Sequence, residues 1–239
     1  MAAKEDILEQ IVEEYLLHDG YFVRHNLKFR PRPDDQGFIT SQHSNHSDID
    51  VIGWHPKKTG YEKLVVVSCK SWQEGFNPAK QINAVKKGAK LGGREAWKSA
   101  RELWREIWAN AFIREIEEAT GTKKFTYITA ATHVVGDRSI WENHLMFKKH
   151  LKGNPVKIID LAQMMNFIVP RLSTTVAGTE VGRTLQLFKA AGLLTEDNKL
   201  SLNHDKHKDM KSKGCQHECS IDRKSDREVR RSKRTNFAG

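Results

Sequence analysis

The sequence predicts an α/β protein built on a mixed central sheet flanked by helices. Three observations predict it. An amphipathic helical stretch opens the chain, three β-rich runs follow it in close succession, and helices then alternate with two further short strands. No internal repeat interrupts that order.

Residues 4–17 place Leu8, Ile11, Val12, Tyr15 and Leu16 on one helical stripe, and Asp19-Gly20 supplies the stop. Residues 21–29 read as a strand, followed by a Pro/Asp/Gly loop over 30–37. Strands are expected at 47–54 and 63–72. The second of these is apolar on both faces over 64–67, which places it inside the sheet. A Pro-initiated helix over 78–91 should break at Gly92-Gly93, and a long helix should run over 94–120. Trp97, Trp104 and Trp108 of that stretch are spaced as core residues rather than as a stacking platform. A strand at 125–135, a helix at 139–151, a short strand at 156–159 and helices at 161–172 and 178–194 complete the order.

Composition narrows the function classes. The 239 residues are 38% hydrophobic and 29% charged, and mean hydropathy is −0.63. The apolar run Leu64-Val65-Val66-Val67 is far short of the roughly 18 residues of a membrane span. No apolar signal segment follows Met1, and three cysteines are an odd number, so a reducing, cytoplasmic setting is expected (nucleoid-associated in a prokaryote). Forty Lys and Arg against thirty Asp and Glu give +10 and a pI near 9.5, which suits a polyanionic partner. The organisation expected is a core over 1–152, a helical C-terminal extension over 153–202, and a basic tail over 203–239. The tail carries eleven Lys and Arg against six Asp and Glu and almost no apolar residues, so it should not fold by itself.

The chemistry concentrates in two strands. Asp48 and Asp50 lie in Ser47-Asp48-Ile49-Asp50-Val51-Ile52-Gly53, and alternation predicts that they share a face opposite Ile49 and Val51. Carboxylates in an apolar strand are costly unless paired or bound to a cation. The next strand ends Val66-Val67-Ser68-Cys69-Lys70-Ser71-Trp72, which puts Lys70, Ser68 and Val66 on one face and Cys69 on the other.

Over residues 5–135 these features resemble the PD-(D/E)XK nuclease superfamily, whose fold is restriction-endonuclease-like. The resemblance implies a metal-dependent DNA endonuclease of restriction, repair or recombination type. It implies Asp50 as metal-binding carboxylate, Lys70 as catalytic lysine, and Glu9 of the first helix as an acid reaching the metal, with Glu13 in reserve. Mg²⁺ or Mn²⁺ would be the cofactor and DNA the partner, with a homodimer for cutting two strands. Ser68 stands where the family most often has an acid, and Ala84 stands where some members carry a replacement carboxylate. Glu9 and Asp48 are then the first candidates to restore the missing charge, and Glu74 the next. The alternative is a nuclease-inactive DNA-binding protein that keeps the fold; a second is an RNA- or protein-interaction module.

Lys80, Lys86, Lys87, Lys90 and Arg94, with Lys98 and Arg101, are candidate phosphate contacts, and Gln73 and Asn77 lie close to Lys70 in sequence. Residues 182–194 resemble the second helix of a winged-helix module. Cys215 and Cys219, with His204 and His207, have tolerable zinc spacing in a stretch that lacks apolar residues. His133 reads as a core or rim histidine.

Overall fold

A computed structural model of the chain describes residues 6–194, and the tail readings, including Cys215, Cys219 and the zinc spacing, lie outside them. Helix α1 (Ile7–His18) is capped by Asp6, whose carboxylate accepts from the Leu8 amide at 2.8 Å. Strand β1 (Phe22–Phe29), the single turn α2 (Thr40–His43), β2 (Ser47–Trp54) and β3 (Leu64–Lys70) follow. Strand β1 pairs antiparallel with β2, and β2 antiparallel with β3.

Past β3 the structure departs from the expected pair of helices. Helix α3 ends early (Pro78–Lys86), and residues 90–95 form a two-stranded hairpin, β4 (Lys90–Leu91) and β5 (Arg94–Glu95). Its turn is Gly92-Gly93 with φ of 55° and 78°, the positive values that a two-residue hairpin turn requires of both central residues. The apolar spacing on either side imitates a helix, but two adjacent glycines favour the tight reversal.

The long helix expected over 94–120 is also divided. A 3₁₀ segment (Ala96–Ala100) leads into α4 (Arg101–Trp104), Arg105 is extended, and α5 (Glu106–Thr120) begins anew. The break lets Trp104 pack on Trp141 and Phe147 while Trp108 packs on Phe29. Trp104 and Trp108 are core residues, as their spacing indicated, and Trp97 packs on the core's margin.

Strand β6 (Thr126–Ala131) lies parallel to β3. It ends before the expected residue 135 because His133 and Val135 bond instead to Phe76, in the loop after β3. The helix expected over 139–151 is two short ones, α6 (Ser139–Glu142) and α7 (Leu145–His150). Between them the Glu142 carboxylate accepts from the Ile158 amide of the next strand at 2.9 Å. That strand, β7 (Val156–Asp160), is parallel to β6. Helix α8 (Leu161–Arg171) starts from a capping box of Asp160 and Gln163, and α9 (Glu180–Ala190) follows.

The result is a five-stranded mixed sheet in the order β1-β2-β3-β6-β7, with helices on both faces. Helices α1, α8 and α9 share one core with Val51, Val65 and Val67 through Leu8, Val12, Leu16, Met164, Ile168 and Leu185. On the other face Leu64 and Val66 meet Trp104, Trp108, Phe112, Trp141 and Phe147. Val65 to Val67 are buried on both faces, as an interior strand requires. Among the described residues no helix is long and apolar enough to cross a membrane.

Candidate functional site

The site forms where β2 parts from β3. Their pairing runs from Trp54–Leu64 to Val51–Val67 and stops before Asp50. On the other side of β2, every residue from Phe22 to Phe29 is in register with its partner except Asn26, which would face Asp50. Asn26 has φ of 55°, a left-handed conformation that Asn adopts more readily than most residues. Across this kink the faces exchange. Val23 and Val51 belong to the α1 core, whereas Leu27 and Ile49 belong to the opposite one. The strict alternation expected of Ile49 and Val51 therefore fails at Asp50, for the reason that bulges bend strands.

The interruption leaves the Cys69 amide without a strand partner on that side, and Asp50 supplies one. Asp50 Oδ2 accepts from Cys69 N at 2.6 Å. At the next residue, Lys70 donates through Nζ to Ser68 Oγ at 2.8 Å. Burial raises the Asp50 carboxyl above its ordinary range, and the Lys70 charge and the Cys69 amide oppose that rise.

One more carboxyl reaches this place, and the sequence reading missed it. Glu102 of α4 is only 5% exposed and accepts from the Tyr127 hydroxyl at 2.5 Å. Burial raises its pKa; the Tyr127 hydrogen bond and Lys70 lower it, and Asp50 adds to the rise. Burial pushes the Tyr127 hydroxyl well up, and the nearby Ser68 opposes that rise. Ser68 thus acts on the Tyr127–Glu102 pair as well as accepting from the Lys70 ammonium. A single Glu in a Trp-rich helical stretch carries no motif. The available signal was an acid among Ala100, Leu103 and Trp104, at a position that must be buried if those residues are.

The other expected acids are placed as follows. Glu9 is on the α1 side of the sheet, where its charge bears on Cys69. Glu13 lies 3.3 Å from His25. Asp48 is exposed opposite Lys28, and its charge adds to the rise at Asp50. Glu74 is exposed with Lys80 at 3.8 Å, and Ala84 is buried in α3. His133 stands at the sheet rim against Gly75, where a side chain would strike its ring.

Lys70 opens onto a cleft of about 1630 Å³. Its walls come from the loop after β3, from α3 and from the glycine hairpin. Lys70, Lys80, Lys90, Arg94, Lys98 and Arg101 line it, against Glu74 and Glu95. Lys86 and Lys87 are exposed but stand outside this lining, and Lys86 acts on His144 instead. Gln73 lines the cleft, whereas the Asn77 side chain caps α3 by accepting from Lys80 N at 2.9 Å. Gln81 holds the hairpin's base: it is 2% exposed and donates to Ala96 O at 2.9 Å and Ser99 Oγ at 2.6 Å.

Among the described residues no three His, Cys, Asp or Glu side chains group closely enough to hold a metal by themselves. Burial raises both the Asp50 and the Glu102 carboxyl, and the Asp50 charge adds to the rise at Glu102, a condition that a divalent cation would relieve. Mg²⁺ is commonly held by one or two carboxylates together with substrate phosphate oxygens. Two carboxyl groups are the donors that the site offers such a cation. Comparison with known proteins found no family model, no curated protein and no solved structure that matches the chain.

Proposed function

We propose that the protein is a metal-dependent DNA endonuclease with a restriction-endonuclease-like core of the PD-(D/E)XK type. The observation that carries this reading is that Lys70, which lines a basic cleft, is held by Ser68 and bears on both the Asp50 and the buried Glu102 carboxyls. Asp50 and Glu102 would hold the cation, which supplies Lewis acidity and an acidified water when bound.

The chain's own groups do the rest. Lys80, Lys90 and Arg94 at the cleft wall attract and seat the polyanion without reading its sequence. Lys70, held by Ser68, points a cation at the place where phosphoryl charge grows during hydrolysis. Its ammonium also donates a hydrogen bond that orients an attacking water. Ser68 does not replace the family's acid as a charge. It fixes the lysine, and Glu102 brings the second carboxylate from α4.

Duplex binding in Ca²⁺ and in EDTA tests this reading without cleavage. Ca²⁺ should tighten binding by about tenfold, and Asp50→Asn should remove that gain. Equal binding in Ca²⁺ and EDTA by the wild type would overturn it and leave a nuclease-inactive DNA-binding protein.

A further inference from the structure

Arg101 is an anomaly in the cleft wall. Its guanidinium lies over the Trp108 ring at 4.6 Å, so its apolar face is covered and its orientation is set. Its Nε is buried and has no hydrogen-bond partner among the described residues. Glu102, whose charge acts on Arg101, accepts from Tyr127. Glu95, on the same cleft, pairs with Lys98 at 2.6 Å. A buried N–H left unpaired costs about 1–3 kcal/mol, a cost that a hydrogen-bond acceptor arriving in the cleft would relieve.

A second arginine lines the same cleft. Arg94 belongs to the last pair of the hairpin, opposite Leu91, and its side chain is exposed on the cleft. The charges of Arg94 and Arg101 act on each other, an arrangement that an anion between them makes favourable. The hairpin carrying Arg94 is fixed at its base by Gln81, so the pair is built on the scaffold rather than on a loose loop.

We infer that Arg101 and Arg94 form a two-arginine seat for one backbone phosphate of duplex DNA, separate from the phosphate at Lys70. A planar guanidinium stacked on an indole presents its N–H groups edge-on, the geometry that bidentate phosphate recognition uses. The glycine turn beside Arg94 carries no side chains, so the DNA backbone can approach the hairpin closely. This seat rests on the reading of the cleft as a DNA site and adds the element that fixes the duplex in it.

The test is binding of a fluorescent DNA duplex in EDTA across a range of NaCl concentrations. The wild type would be compared with Arg101→Gln, Arg101→Lys and Arg94→Gln, and with Lys149→Gln on α7 as a surface-charge control. The expected result is a loss of about tenfold for either glutamine variant, with the salt slope reduced by about one. Arg101→Lys should stay weak because an ammonium lacks the fork. Thermal melts identify any variant that fails to fold, and Arg94→Gln, on the exposed hairpin, then carries the test. Wild-type binding with unchanged affinity and slope in the variants would overturn the seat alone. Absence of wild-type duplex binding would overturn the DNA reading with it. An Arg101-dependent thermal shift with inorganic phosphate, without any effect on DNA affinity, would assign the seat to a free phosphate and overturn the inference.

Discussion

Lys70 Nζ donates to Ser68 Oγ at 2.8 Å, within a single turn of the pleat on one face of β3. The hydroxyl therefore does not stand in for a missing carboxylate. It holds the lysine and also acts on the Tyr127 hydroxyl that donates to Glu102. Lys70 and Glu102, 32 positions apart in the chain, are thereby linked through a serine and a tyrosine, and the Lys70 charge lowers the pKa of Glu102.

Glu102→Gln keeps the shape and still accepts from Tyr127, but removes the charge. Cleavage should fall about 10–100-fold, and the tightening of DNA by Ca²⁺ should shrink with it, while the fold is retained. Cleavage assays beside thermal melts check this. Unchanged cleavage in a folded variant would remove Glu102 from the site.

Asp50→Asn should raise thermal stability in EDTA at pH 7. Burial raises the folded-state pKa of this carboxyl, so the folded state binds its proton more tightly than the unfolded state does. Stability is then lost as pH rises from the unfolded carboxylate value, about 4, through the raised folded value. The asparagine variant has no such loss. A melting series from pH 4 to 8 reads the difference, and a lower Tm for the variant throughout would contradict it.

Asp35 gives the opposite sign. Its carboxylate accepts from Arg114 at 2.8 and 3.1 Å, and that hydrogen bond holds its pKa below the ordinary range. The contribution is present above the unfolded value and disappears as pH falls through the depressed folded one. Asp35→Asn should cost about 1 kcal/mol or less at pH 7, because the pair is partly exposed, and less at about pH 2, where the carboxylate is increasingly protonated. Denaturant unfolding at the two pH values measures it, and an equal cost at both would refute the assignment.

Much of the sheet was legible because apolar alternation and hydrophobic runs depend on local pattern. Residues 47–54 are a strand as expected, and the valines of β3 are interior. The hairpin at 90–95 was not, because Leu91 fits a helical stripe and only the tertiary position of Gln81 shows what anchors the turn. The site divides the same way. Asp50 and Lys70 are visible as polar residues in apolar strands, whereas the kink at Asn26 and the arrival of Glu102 depend on contacts between elements distant in sequence. Glu9 was legible as a polar residue on an apolar helix, and its charge acts on Cys69 beside those of Asp50 and Lys70.

The most direct measurement is cleavage of supercoiled plasmid by the purified protein in Mg²⁺ or Mn²⁺, with EDTA and Lys70→Ala as controls. The account predicts nicked or linear product that requires the cation and falls at least about 100-fold in Lys70→Ala. Product that forms equally well with Lys70→Ala, or no product from plasmid, methylated or branched DNA that the protein binds, would contradict it.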